Sequence, residues 1–175
     1  MTALWIGLGL VAVVAIGIAL AGEWLRRSLR HARNDHSRRP SLWNRFYSVD
    51  WGETATNNYG FAPASGDHPQ RFQHQMYLEL LTRLQAMRPL APGTALLEVS
   101  CGRGGGLAAF LDAAPAGTFD ATGMDVASAA IAFCRKAHGE RQGLRFVEGT
   151  ALDLPFKDES FDVVLNVEAS NDYAD

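Results

Sequence analysis

The stretch LLEVSCGRGGGL, residues 96–107, constrains this chain more than any other. It sets an apolar run, the carboxylate of Glu98 and four glycines into twelve positions. An apolar run passing through tight glycines into a second apolar segment reads as strand, loop and helix. Such a loop carries backbone N–H groups to a ligand at the carboxyl edge of a sheet. Glycine permits the unusual dihedrals and the close approach. A dinucleotide suits that arrangement, and a glycine-rich turn with no ligand is the plain structural alternative.

The surrounding rhythm extends the pattern. TALLEV (94–99) is a short apolar strand, and a helix follows over roughly 104–114. FDATGMD (119–125) supplies a second strand, and VASAAIAFCRKAH a second helix with Arg135, Lys136 and His138 in its last turn. Gly139 is expected to stop that helix from the C′ position. LRFVEG (144–149) and FDVVLNVEA (161–169) are third and fourth strands. Alternating strands and helices predict a parallel α/β sheet. The fourth strand is apolar on both faces over Val163, Val164 and Leu165, which predicts cover on each side.

Glu98 discriminates between ligands. A carboxylate ending the first strand would face the diphosphate of a dinucleotide. Like charges about 5 Å apart in a partly buried site cost on the order of 3 kcal/mol at an effective dielectric of about 20. A cationic ligand reverses that sign. The spacing agrees, because Gly102-x-Gly104-Gly105-Gly106 runs into Leu107, where the dinucleotide pattern requires glycine.

On these residues the chain resembles the class I S-adenosylmethionine-dependent methyltransferases. EVSCGRGGG is similar to that family's acid-x-Gly-x-Gly-x-Gly motif. GMD ends the second strand at Asp125, and VEGTALDLPFKDESFDVVLNVEAS resembles the family's adenine-contact loop and fourth strand. NVEAS, together with NNYGFA at 57–62, is similar to a subgroup methylating lipids and natural products that includes the phthiotriol and phenolphthiocerol dimycocerosate methyltransferases. The resemblance covers about residues 94–171. It implies a Rossmann-like sheet in strand order 3-2-1-4, S-adenosyl-L-methionine as cofactor, and a small hydrophobic acceptor.

The resemblance also assigns roles. Glu98, Ser100, Gly102 and Gly104 would hold the methionine portion, Asp125 the ribose hydroxyls, and Thr150 with Ala151 the adenine. Asn166 would approach the methionine end, and Tyr59 with Phe61 would close over the methyl group. Ordinary packing of a cap segment accounts for those two aromatics equally well. Glu168 and His74 are the candidates for a general base. Two positions depart from the family pattern: Ser100 replaces its first glycine, and Thr150 stands where an aspartate usually meets the adenine amino group. The family continues beyond this point with another helix and three strands. The chain is therefore expected to be the N-terminal half of such a domain, a fragment of a longer enzyme with its apolar fourth strand on an open edge.

Upstream, no residue from Met1 to Gly22 is charged, and LWIGLGLVAVVAIGIALA (4–21) is almost continuously apolar. About 20 residues at 1.5 Å each match a bilayer core of about 30 Å, which predicts a transmembrane anchor over residues 1–25. A cleaved signal peptide is the rival, with ALAG at 19–22 as its cleavage site. Seven arginines against one acid between Arg26 and Arg45 place the following domain on the cytoplasmic side of a single-pass membrane protein. Residues 26–68 read as a basic juxtamembrane linker and aromatic cap, and 69–175 as the catalytic domain, opening with a helix over about 70–87.

A net charge of −3 excludes a nucleic-acid-binding footprint. Two cysteines and five histidines without ligand spacing predict neither a disulfide frame nor a metal site. Two competing functions are a membrane-tethered, catalytically inactive binding module and, more distantly, an NAD-dependent reductase. Sequence alone leaves the oligomeric state open.

Overall fold

A computed structural model of the chain describes residues 20, 22–23 and 39–173. The chain divides into a unit of residues 1–38 and a unit of residues 39–175, and the second carries the sheet. Its elements are α1 (Arg39–Tyr47), α2 (Arg71–Met87), β1 (Thr94–Val99), α3 (Gly105–Ala113), β2 (Phe119–Asp125), α4 (Ser128–His138), β3 (Leu144–Glu148) and β4 (Val163–Leu165), closed by a 3-10 turn at Ser170–Asp172.

The four strands form one parallel sheet in the order β3-β2-β1-β4. Period-two alternation sends Leu96 and Glu98 to one face of β1, and Leu97 and Val99 to the other. The first face builds the larger core, where Leu96, Ala121 and Phe146 pack with Tyr77 and Leu81 of α2, Leu107 and Phe110 of α3, and Ile131 and Cys134 of α4. On the second face Leu97, Val99 and Met124 pack with Ala151, Phe156, Phe161 and Tyr173. Helices thus cover one face, and an irregular segment covers the other.

Three expectations need correction. The transmembrane span falls almost wholly on residues outside those described, and among the described residues no helix is long and apolar enough to cross a membrane. The supported fold is the Rossmann-like sheet alone. The anchor, the membrane as partner and the single-pass localisation have no spanning helix behind them.

Strand β4 is the second. It covers 163–165 rather than 161–169, because it pairs only with Leu96–Glu98 of β1. Asn166 and its successors turn away, and Glu168 adopts a positive φ of 56°. Being an edge strand, β4 buries Val163 but leaves Val164 59% exposed, so the predicted cover exists on one side only. Third, Gly139 caps α4 with right-handed dihedrals (φ −66°, ψ −17°) and is not a left-handed stop.

Helix α1 lies within residues 26–68, which the sequence suggested as a basic linker and aromatic cap without a helix. Pro40 sits in its first turn, where a missing N–H costs nothing. Trp43, Phe46 and Tyr47 pack on one another along it, with Trp51 joining Phe46 at 4.7 Å. Asn44 supplies what α4 lacks. The residue before α4 is Ala127, which has no capping oxygen, and Asn44 Oδ1 instead accepts from the Ala129 N–H (2.8 Å) and the Ser128 hydroxyl (2.9 Å).

Candidate functional site

The carboxyl ends of β1 and β2 each carry a buried acid. Glu98 is 1% exposed, and its Oε1 accepts the Tyr77 phenol at 2.6 Å. Its Oε2 has no hydrogen-bond partner among the described residues. Burial pushes the Glu98 carboxyl from 4.5 up to about 7; the Tyr77 bond pulls it down, and the negative charge of Asp125 adds to the rise.

Asp125 is 5% exposed. Its Oδ2 accepts from the Gly102 N–H (2.8 Å) and its Oδ1 from the Ala127 N–H (2.9 Å). Burial raises its pKa as well, and the backbone bonds from Ala127, Gly102 and Val126 oppose that rise. Neither acid is ion-paired among the described residues. Two buried carboxyl groups within electrostatic reach and without a cation among the described residues are costly to ionise together, and a positive ligand would offset that cost.

The glycine loop sits between them, and the chain itself fills the space around its glycines. A Cβ on Gly102 would lie 2.7 Å from the Tyr47 hydroxyl, and one on Gly104 would lie 2.9 Å from the Phe146 ring. On Gly105 it would meet Ala55 at 2.5 Å, and on Gly106 the Tyr77 ring at 2.0 Å. Gly102 and Gly104 also take positive φ values of 55° and 75°. The glycines are therefore demanded by the close approach of the protein's own groups.

Three amides of the loop are likewise committed. Gly102 N–H binds Asp125, Gly104 N–H binds the Cys101 carbonyl (3.0 Å), and Gly105 N–H binds the Ala55 carbonyl (3.0 Å). A phosphate would have to displace these bonds and approach two acids. A ligand carrying positive charge and vicinal hydroxyls meets no such obstacle, because a carboxylate such as Asp125 has lone pairs left for hydroxyl donors.

Residues 52–59 strap this loop from outside. The Arg103 guanidinium donates to the carbonyls of Thr54 (2.6 Å) and Gly52 (3.2 Å) and stacks 3.5 Å over the Phe133 ring. Gln70 holds the strap from behind, its Oε1 accepting from Ala55 N–H and its amide donating to Thr56. At the far end, Tyr59 N–H donates to Glu168 Oε2 at 2.8 Å, so the structure brings together two residues 109 positions apart. The Tyr59 side chain itself is 94% exposed.

The other candidates are placed as follows. Ser100, at φ 63°, joins its hydroxyl to that of Tyr173 at 2.7 Å. Asn166 donates to Tyr173 Oη at 2.5 Å and to the Val99 carbonyl at 3.4 Å. Thr150 bridges to Asp153, and its Oγ1 accepts from Leu152 N–H at 3.3 Å. Ala151 packs on the smaller core beside Leu97 and Met124. His74 stacks on His68 with centroids 4.6 Å apart, and burial with that neighbour lowers its pKa. Both thiols are buried and unbridged, and Cys134 Sγ donates to the Gly102 carbonyl at 3.2 Å from beneath the loop. Among the described residues no cluster of His, Cys, Asp and Glu could hold a metal ion.

Tyr77, Arg103 and Tyr173 were not singled out by the sequence. Only Arg103 gave a signal, as a cation inside a glycine loop. The two tyrosines reach the site through packing that no local pattern encodes, whereas Tyr47 belongs to the aromatic cap read from the sequence and its hydroxyl lies beside Gly102.

Residues 97–175 match the family model described as a methyltransferase domain. A probable phthiotriol/phenolphthiotriol dimycocerosates methyltransferase 2 of Mycobacterium ulcerans (strain Agy99) is 46% identical over 61% of this chain and 38% of its own length. A fatty-acid O-methyltransferase of Mycolicibacterium smegmatis (strain ATCC 700084 / mc(2)155) is 40% identical over 71% of this chain and 43% of its own. The chain thus spans about two fifths of the curated relatives it matches. Among solved structures, a geranyl diphosphate C-methyltransferase from Streptomyces coelicolor A3(2), in complex with Mg2+, geranyl-S-thiolodiphosphate and S-adenosyl-L-homocysteine, shares the fold with a TM-score of 0.54 at 16% identity, over 73% of this chain and 54% of that one.

Proposed function

This chain belongs to the class I S-adenosylmethionine-dependent methyltransferases, matching part of longer relatives, and on that premise we propose that its loop face binds S-adenosylmethionine for methyl transfer to a lipid-like acceptor. One observation carries the reading: two buried acids, Glu98 and Asp125, flank a glycine loop without a partner cation among the described residues. The sulfonium and ammonium of the cofactor supply the missing positive charge, and no phosphate is brought near them. The sulfonium also supplies the chemistry, an activated methyl group with a good leaving group.

The protein's part is to hold, orient and exclude water. Glu98 sets the negative field beneath the loop. Asp125 has lone pairs free for ribose hydroxyls beyond those taken by Gly102 and Ala127. Thr150 and Ala151 lie on the segment after β3, where an adenine would meet the apolar cover of the second face. Tyr59 is tied to Glu168 through its backbone N–H, and its exposed ring would close over the methyl group. Glu168 keeps its Oε1 for an acceptor proton while Oε2 holds the strap, which favours it over His74 as general base. The lipid-like acceptor rests on the names of the relatives.

Thermal shift with S-adenosylmethionine, S-adenosylhomocysteine and NADH tests the cofactor, because a ligand that prefers the folded chain raises Tm. The first two are expected to raise it and NADH is not. A rise with NADH alone would overturn the reading. Transfer of a labelled methyl group to a fatty acid, compared with an extracted lipid bearing hydroxyls, tests the acceptor.

A further inference from the structure

Helix α2 opens on Arg71, with no acid in its first turn and no side-chain bond from its N-cap residue, Gln70. The N-cap is held from outside the helix. Gln70 N–H donates to His68 Nδ1 at 3.0 Å, and the His68 carbonyl accepts Arg71 N–H at 3.0 Å. A backbone N–H can only donate, so Nδ1 carries a lone pair and the His68 ring is neutral, with its proton on Nε2. That ring stacks on His74, with centroids 4.6 Å apart and planes inclined by 29°.

Gln70 passes this order on to the glycine loop. Its Oε1 accepts from Ala55 N–H (2.9 Å), and its amide nitrogen donates to the Thr56 carbonyl (2.7 Å) and hydroxyl (2.5 Å). The Ala55 carbonyl in turn accepts from Gly105 N–H (3.0 Å), at the start of α3. An unbroken line of contacts thus runs from His68 through Gln70 and Ala55 to the loop.

A proton on the exposed His68 ring acts against this line in three ways. It occupies Nδ1, so Gln70 N–H loses its acceptor. It sets a charge against the stacked His74 ring. It also adds a cation beside Arg71 at a helix N-terminus, where the macrodipole disfavours positive charge. Burial, and then the neighbouring His68, hold the His74 imidazole below its ordinary 6.5. Around the pair, Arg71 Nη1 lies 3.5 Å from the His68 carbonyl, and Asp67 precedes His68 in the chain. Residues 54–61 of the strap carry one titratable group, Tyr59, whose side chain is 94% exposed and whose N–H holds Glu168. Helix α3 carries Asp112 alone, paired with Arg141.

We propose that His68 and His74 form a proton-sensitive latch: neutral, they hold the 52–59 strap against the glycine loop through Gln70, and protonated, they release it. The latch belongs to the protein alone and does not depend on which ligand the loop takes. His74 binds its proton less tightly in the folded chain than in the unfolded one. The stability it lends is therefore complete above 6.5 and is lost as pH falls below that value.

Hydrogen exchange of the 175-residue chain at pH 5.5 and pH 7.5, each rate divided by that of the unstructured peptide, tests the latch. At the lower pH, Ala55 N–H and Gly105 N–H are expected to lose protection about fivefold, the scale of one hydrogen bond. His68→Asn keeps an acceptor for the N–H two residues on and does not titrate. His74→Phe keeps a ring in the stack without a charge. In the double variant, strap protection should stay within about twofold across the same range. Glu98 is unaltered in both chains, so its own titration cancels in the comparison. His68→Ala removes the acceptor outright and should exchange at pH 7.5 as the parent does at pH 5.5, while protection in β1 and β2 reports that each variant is folded. An equal pH response in the parent and the double variant, parental strap amides that ignore pH, or full strap protection in His68→Ala would each overturn the latch.

Discussion

Tyr77, on α2, donates its phenol proton to Glu98 at the end of β1 across 2.6 Å, and the two side chains are 6% and 1% exposed. The bond answers one carboxylate oxygen and leaves the other for a ligand. It also keeps a group that burial pushes up to about 7 from rising further.

The folded pKa of Glu98 lies above its unfolded value, so the folded chain binds this proton more tightly. Its contribution to stability is complete below the unfolded value of 4.5 and is lost as pH rises through about 7. The full swing is on the order of 3 kcal/mol. Glu98→Gln is expected to flatten that part of the profile, as urea denaturation at pH 5 and pH 8 would show. Cofactor affinity should run the other way, rising through pH 7 in the parent and staying weak and flat in Glu98→Gln. A parent whose affinity ignores pH between 6 and 8 would contradict the assignment.

Gly106→Ala places a Cβ where the Tyr77 ring lies, 2.0 Å away. Overpacking of this kind costs about 1–3 kcal/mol, and Tyr77 must move off Glu98 to relieve it. A lowered denaturation midpoint with partial recovery in Gly106→Ala/Tyr77→Leu is the expected pattern. Full parental stability of Gly106→Ala would place the ring elsewhere.

Arg103→Lys keeps the charge but loses the planar fork that spans Thr54 and Gly52 and stacks on Phe133. The strap over the loop is expected to open more often while the sheet stays intact. Hydrogen exchange should speed up several-fold for amides of residues 52–59 and stay unchanged in β1 and β2. Uniform acceleration throughout would indicate a global loss instead.

Asn44→Ala removes the oxygen that caps α4 from another helix. Loss of an N-cap costs about 1 kcal/mol, here with loosening of α1 as well. Asn44→Asp should restore most of the stability, because a carboxylate accepts the same two donors.

The sheet was legible because its first three strands are short and alternate with helical segments, and the boundaries of β1 and β2 agree with the sequence. Strand β4 was overextended for a physical reason: Val167 and Ala169 prolong the apolar pattern past Asn166, but the pairing with β1 ends at Leu165. Helix α1 was hidden by the proline and serine that start it. Glu98 and Asp125 were legible as acids at strand ends, and Glu98 proved to be fully buried against Tyr77 rather than partly so. The partners that orient the site stayed hidden. Tyr77, Tyr173 and the bond between Glu168 and Tyr59 link positions 21, 73 and 109 residues apart, beyond the reach of any local period.

Cys101 and Cys134 lie buried at the loop at 7% and 0% exposure, both donating to its Gly102 carbonyl. A small alkylating reagent can reach them only while the loop is lifted, so the rate of their labelling counts its openings. The chain thus carries a native chemical clock for the ground beneath its own ligand site, and a bound ligand that pins the loop should slow it.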